Sequence, residues 1–190
     1  STFSKNLVLW RSERIPSVGD KFTSRHGQKN TIGNMYHRAY LLYTKEGLYP
    51  NIIVNPNGIA KRMTIGQLIE CLLAKVCVTK GIYGDGTPFM NVDINKINQD
   101  LVDLGFEPYG NHVMYNGMNG MQLEQEIFFG PIYYLRLKQM VADKMHTRTR
   151  GPCLELTHQP TPGRSREGGL RLGTMEVDAL MAHGIMLFAK

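Results

Sequence analysis

The sequence of 190 residues holds no apolar run approaching the ~20 residues that a membrane-spanning helix needs. It has no internal repeat and no low-complexity tract, which sets aside solenoids and fibrous chains. The opening STFSKNLVLW lacks the charged-then-apolar layout of a secretion signal. A soluble chain in a reducing, intracellular compartment, away from membranes, is expected. Cysteine is scarce: Cys71, Cys77 and Cys153 are odd in number and form no CxxC pair, so neither a disulfide framework nor a zinc ribbon is indicated. Cys71 and Cys77 fall in an apolar helical stretch and Cys153 in an expected strand, where a free thiol serves as a small buried hydrophobe. No Asp-x-Asp carboxylate cluster occurs, so two-metal chemistry has no ligand set in this chain. His26, His112 and His146 are too scattered to argue for zinc.

What is present has the balance of a globular domain. Hydrophobic residues make up 42% and charged residues 20%, enough for a real core in one domain with room for an appended lobe. Lys and Arg outnumber Asp and Glu by 22 to 16, a formal +6 that favours an anionic partner. The start at Ser1 and the end at Lys190, just after an expected helix, suggest an excised piece of a longer polypeptide.

Leu7–Trp10 and Ile52–Val54 are short apolar runs that read as buried strands, with weaker strand signals at Thr31–Gly33 and Val113–Tyr115. Asn116–Gly120 is a hairpin signal. Thr64 and Gln67 fit a capping box opening a helix whose stripe runs Ile65, Leu68, Ile69, Leu72, Leu73, Val76, with Gly81 to end it. A shorter helix is expected over about 93–104, stopped by Gly105. Pro131 opens a third with the stripe Tyr134, Leu137, Val141, Met145, and Thr174 caps a last one through Ala182. Residues 158–173 have loop composition. Periodicity by itself reaches mixed α and β and no further.

The most informative stretch is Gly19–Lys29, GDKFTSRHGQK, which places Lys21, Arg25, His26 and Lys29 among turn-forming glycines. A hairpin here brings Lys21 and Lys29 to one anionic site, whereas a helix would put them on different faces. The bland alternative is a solvated basic loop. Arg62, two residues before Thr64, lies near a helix start where a guanidinium fork and free N–H groups together receive phosphate, the alternative being an ordinary surface ion pair. His146 sits among Lys144, Arg148 and Arg150, as a nucleotide contact or merely as a cation stabilising a helix end. Arg164, Arg166 and Arg171 alternate with glycines in GRSREGGLR, a spacing that lets guanidinium and backbone reach a nucleic-acid backbone without reading bases.

The blocks GDKFTSRHGQK (19–29), IIVNPNGIAKRMTIGQLIE (52–70), VMYNGMNG (113–120), IFFGPIYYLRLKQMVADKMHTRTRGP (127–152) and QPTPGRSREGGLRLGTMEVDALMAHG (159–184) occur in one order. In that order the chain resembles the second-largest subunit of multisubunit DNA-directed RNA polymerases of archaeal, eukaryotic and large-DNA-virus type. The resemblance implies a hybrid-binding domain over 1–190, built as a double-psi β-barrel with inserted helices and a C-terminal switch-loop region. It implies catalytic roles for Lys21, Lys29, Arg62 and His146 beside the RNA 3′ end and the incoming nucleoside triphosphate. Nucleic-acid contacts follow for Arg25, His26, Arg148, Arg150, Arg164, Arg166 and Arg171. Catalytic Mg²⁺ is expected through the largest subunit, with no cofactor bound by this chain, and the implied partners are the other polymerase subunits, template DNA and RNA. Asn30 and Ala142 depart from the family's glycine and acid, and His158, Leu172 and Thr174 from residues usual in cellular enzymes. These departures, and the loss of an acidic segment near Tyr36–Thr44, suggest a large cytoplasmic DNA virus as the source, with transcription in nucleus, cytoplasm or virion. The alternative is an autonomous, sequence-indifferent nucleic-acid-binding module. A self-sufficient phosphate-processing enzyme is a third reading, opposed by the missing carboxylates.

Overall fold

The computed structural model describes residues 7–189. Residues 1–6 and Lys190, on which the expectation of an excised piece rests, lie outside them. The chain divides into two compact units, Ser1–Val141 and Ala142–Lys190.

The first unit opens on an antiparallel hairpin, β1 (Lys21–Ser24) and β2 (Lys29–Thr31), reversed through residues 25–28 with Gly27 at φ +71°. That angle is one glycine adopts without strain. β3 (Tyr43–Thr44) follows, then three helices: α1 (Asn57–Arg62), α2 (Ile65–Lys80) and α3 (Ile94–Asp103). β4 (Asn111–His112), β5 (Met114–Tyr115), β6 (Ile127–Phe128) and β7 (Tyr134–Arg136) complete the unit. The strands form three open antiparallel sheets in the orders β2-β1-β7, β3-β5 and β4-β6. The mixed α and β class is therefore as expected, while no closed barrel is seen among the described residues.

The core lies where α2 meets α3. Leu72, Val76, Ile97 and Leu101 are buried together, with Ile69, Leu73, Leu104 and Phe106 packed around them. Each such side chain contributes about 1.5–3 kcal/mol by leaving water. Of the stripe read from the sequence, Leu72 and Val76 are buried and Ile69 and Leu73 pack beside them, whereas Ile65 at its start is exposed; Gly81 (φ +68°) and Gly105 (φ +82°) end the two helices as expected. The Asp93 carboxylate accepts from the N–H groups of Asn95 and Lys96 to start α3. Lys80 pairs with Asp100 across the helices at 2.8 Å.

The second unit carries among its described residues the helix α4 (Thr174–Ala182) and 3₁₀ turns at Arg164–Arg166 and Met186–Ala189. No hydrophobic side chain in it is fully buried among the described residues.

Several expectations fail, each for a physical reason. The expected third helix is absent: its start pairs as β7 with β1, and a short 3₁₀ turn, Val141–Asp143, replaces its end, so His146 does not end a helix. Residues 132–136 alternate half-buried and exposed, and an aromatic, β-branched run offered a free strand edge takes it in preference to a helix. Leu7–Trp10 and Ile52–Val54 are not strands and are not buried, Trp10 being 92% exposed. Apolar runs mark burial only when a partner surface lies within reach. The capping box does not form: Thr64, at ψ 57°, makes no side-chain cap, and Gln67 turns to Ser24. Gly173, not Thr174, is the N-cap of α4. Cys153 is exposed and makes only an isolated bridge to Pro160, whereas Cys71 is buried and Cys77 half-buried. At Asn116–Gly120 the chain does reverse, Asn116 N–H donating to Met121 at 2.8 Å, with the positive φ at Gly120.

Candidate functional site

In the β1–β2 hairpin, Lys21 lies opposite Thr31 and Thr23 opposite Lys29. Directly paired residues share a face of an antiparallel sheet and alternate residues return to it. Lys21, Thr23, Lys29 and Thr31 therefore stand on one face, with the two lysines as diagonal neighbours. Lys29 is exposed and Lys21 half-buried, and neither makes a side-chain hydrogen bond or ion pair among the described residues. Phe22, Ser24 and Asn30 occupy the other face, joined there by Tyr134 and Arg136 of β7.

Polar ties fix that second face and the turn. Ser24 Oγ donates to Gln67 Oε1 at 3.4 Å, and Gln28 Nε2 donates to Thr64 Oγ1 at 2.8 Å and to the Gly58 carbonyl at 3.2 Å. Glu70 receives Arg25, with Nε at 3.1 Å, and His26 through Nε2. Burial alone would raise the Glu70 carboxyl, yet the hydrogen bonds and charges of Arg25 and His26 outweigh it and hold the group below its ordinary value. Arg25 also lies 5.0 Å over the Tyr133 ring. At the other end Asp20, 1% exposed, accepts from Val141 N–H at 2.9 Å and from Arg136 at 2.6 Å. The Val141 bond, then Arg136, holds its carboxyl below the usual range against the opposing effect of burial.

Arg62 is the last residue of α1, exposed and free of internal partners among the described residues, followed by Met63 in the left-handed region at φ 54°. It thus stands at a helix C-terminus, where a cation is favoured, at the junction leading into α2. A groove of about 1040 Å³ runs beside it, lined by Phe22, Asn30, Ile52, Val54, Lys61 and Tyr134 among others.

In the second unit, His146 Nε2 donates to the Gly168 carbonyl at 2.6 Å. Arg148 donates to the carbonyls of Glu167 (2.8 Å) and Pro152 (3.1 Å), and Arg164 to Met145 (2.8 Å) and Ala142 (3.4 Å). Arg150, Arg166 and Arg171 are exposed, and their guanidinium groups carry no internal partner among the described residues. The expected cations therefore fall into two groups. Lys21, Lys29, Arg62, Arg150, Arg166 and Arg171 are open, whereas Arg25, His26, His146, Arg148 and Arg164 bind the chain to itself.

Sequence reasoning missed the supports: Asp20, Gln28, Glu70 and Arg136. Asp20 and Gln28 lie inside the basic motif and were legible as polar residues flanking each lysine, but the partners that tie them to the rest of the unit are 30 to 121 positions away. It also missed Lys75, 7% exposed, whose Nζ meets His112 Nε2, lies 3.5 Å from the Phe129 carbonyl and 4.7 Å over the Phe106 ring. Desolvation, and then each other's charge in the case of His112, lowers both groups. Burial pushes the neighbouring Cys71 thiol up to about 11. No group of three or more His, Cys, Asp or Glu placed to hold a metal occurs among the described residues, and the Asp20 and Glu70 carboxylates that anchor the hairpin are taken by Arg136 and Arg25. The donor set does not fit a metal centre.

Residues 2–166 match the family described as RNA polymerase Rpb2, domain 6. The chain belongs to the Rpb2 family. Among Rpb2-type relatives it is 64% identical over 181 residues to DNA-directed RNA polymerase subunit 2 of Acanthamoeba polyphaga mimivirus, covering 95% of this chain and 15% of that protein. It is 54% identical to the RPB2 subunit of RNA polymerase II from Encephalitozoon cuniculi, over 99% of this chain and 16% of the relative. The corresponding Arabidopsis thaliana subunit is 53% identical, over 96% and 15%. The chain thus spans about 15% of the length of the Rpb2 proteins it matches. No helix among the described residues is long and apolar enough to cross a membrane.

Proposed function

We propose that this chain is the part of an RNA polymerase second subunit that lines the active centre with cations during template-directed RNA synthesis. Lys21, Lys29 and Arg62 face the phosphates of the incoming nucleoside triphosphate and the RNA 3′ end. Arg150, Arg166 and Arg171 meet the backbone of the DNA–RNA hybrid. Arg25 and His26 hold the hairpin to α2, and Arg148, Arg164 and His146, the last tied to Gly168, hold the loops of the second unit in place. The observation that carries the reading is the two-faced hairpin, with two unpaired lysines on its outward face and its other face anchored to α1 and α2.

Phosphoryl transfer asks for fixed positive charge on oxygens that gain negative charge, and preorganised cations supply it without reorganising at the moment of reaction. The metal ions come from another subunit, in keeping with a donor set here that does not fit them. The double-psi barrel is part of the same proposal, completed by strands from outside this stretch; the free edges of β2 and β7 support it. So does the exposure of Ile53, Trp10 and Phe89, which a larger assembly would cover.

The test is nucleotide addition by the assembled polymerase carrying Lys21→Ala. Loss of about 10²–10³ in rate, the usual cost of removing one transition-state donor, is expected. An unchanged rate refutes the assignment, as does robust RNA synthesis by the isolated chain that disappears with Lys29→Ala.

A further inference from the structure

The open cations Lys29 and Arg62 sit on different elements, a strand edge and a helix end, yet a single triphosphate can be gripped by both only if their separation is fixed. One side chain reaches from one element to the other. Gln28 immediately precedes Lys29, is 6% exposed, and its amide donates at once to Thr64 Oγ1 (2.8 Å), between α1 and α2, and to the Gly58 carbonyl (3.2 Å) inside α1. The other hairpin ties, Ser24 to Gln67 and Arg25 and His26 to Glu70, go to α2 alone. Both hydrogens of the Gln28 amide are used, and a primary amide is the neutral side-chain group that donates two from one nitrogen.

The bond to Thr64 falls where the sequence predicts a capping box, which does not form. The Thr64 hydroxyl, which a helix start would ordinarily claim, is engaged by Gln28 and makes no cap hydrogen bond to its own helix. Thr64 thus contributes a contact across 36 positions of sequence and no cap bond to α2.

We propose that Gln28 is a positioning residue that locks the Lys29 strand to the α1–α2 junction, so that Lys29 and Arg62 engage the phosphates of one nucleoside triphosphate as a unit. The inference rests on the function proposed above and names the device that couples its two elements. Gln28 touches no substrate. Its loss leaves both cations in place and unties their spacing.

The experiment is single-nucleotide addition by assembled elongation complexes over a range of nucleoside triphosphate concentrations, with Gln28→Met, Gln28→Glu, Thr64→Val and Thr64→Ser. Gln28→Met keeps the length and removes both donors. Gln28→Glu keeps a partner for the Thr64 hydroxyl but sets an oxygen against the Gly58 carbonyl. We expect KM for the nucleotide to rise about tenfold in Gln28→Met and Thr64→Val, below the ~10²-fold cost of a full 1 Å misplacement. The two should be non-additive, because they cut the same bond, and Thr64→Ser should restore the wild-type value. Gln28→Met should also lose most of its effect in an Arg62→Ala background. Additive effects of Gln28→Met with Thr64→Val or with Arg62→Ala, or a fall in assembled enzyme with unchanged KM, make Gln28 a stabilising residue only and overturn the inference. Should Gln28→Met fail to assemble, Thr64→Val cuts the same bond from the partner side and decides the matter. If Lys29→Ala and Arg62→Ala themselves leave addition unchanged, the proposed function fails; if they impair it and the Gln28 and Thr64 variants do not, this inference alone fails.

Discussion

Removing Lys29 should separate stability from activity, and the hairpin register sets how far. Lys21 and Lys29 are diagonal neighbours on one face, with Lys29 exposed, a spacing of roughly 7–8 Å. Two like charges at that distance repel by about 0.6 kcal/mol in water and about 2 kcal/mol at an effective dielectric of 20. Flexible stems let exposed ammonium groups move apart, so the lower figure governs. Lys29→Ala therefore relieves a small repulsion and cuts no tie, since the anchoring runs through Ser24, Arg25, His26 and Gln28. The thermal inactivation midpoint of the assembled polymerase should stay within about 2 °C of wild type, because 1 kcal/mol moves a domain of this size by only about 2–4 °C. Nucleotide addition measured by rapid quench should meanwhile fall by about 10²–10³. A Lys29→Ala enzyme that loses many degrees of stability while adding nucleotides at a near-normal rate would refute the reasoning, and would place Lys29 among the supports.

Leu101 is fully buried in the α2–α3 core, so Leu101→Ala should cost about 2–5 kcal/mol, read as a lower urea midpoint of the 190-residue chain, whereas the half-exposed Val102→Ala should cost well under 1 kcal/mol; equal shifts would show that the core is elsewhere. His112 is held below its ordinary value by burial and by Lys75, with Glu46 and Glu107 opposing and Cys71 beside Lys75. The folded state thus refuses a proton that the unfolded chain accepts near pH 6.5, so stability should fall as pH drops through that region, ahead of the loss below about pH 4 as Asp20 and Glu70 protonate. His112→Gln should abolish the upper step in urea midpoints between pH 8 and 5, and a step that persists would assign it to another group.

The helical half of the fold was open to sequence reading because its signals are local. The α2 stripe lies within sixteen residues, and its glycine stop lies one residue beyond. Tyr134 to Met145 carried an equally good helical stripe, yet its fate depends on β1, more than a hundred positions earlier. No window on the sequence contains both. The site divides along the same line. That Lys21 and Lys29 share a face follows from the hairpin alone, whereas the partners that commit Arg25, His26, Arg148 and Arg164 lie 4 to 45 positions away. Composition identifies a cation without telling whether it is already spent, and only the fold distinguishes an open guanidinium from one bound to a carbonyl.

The two-sidedness of the hairpin sets which kinds of genetic change it can absorb. Side chains alternate across a strand, so inserting or deleting one residue between Lys21 and Ser24 would exchange the faces that Lys21 and Phe22 occupy relative to Lys29. Every residue of the motif could survive such an event in identity and still be wrong in direction. The spacing of eight positions from Lys21 to Lys29 is thus under tighter constraint than most of the letters between them. Variation in this segment should accumulate as substitution at constant length.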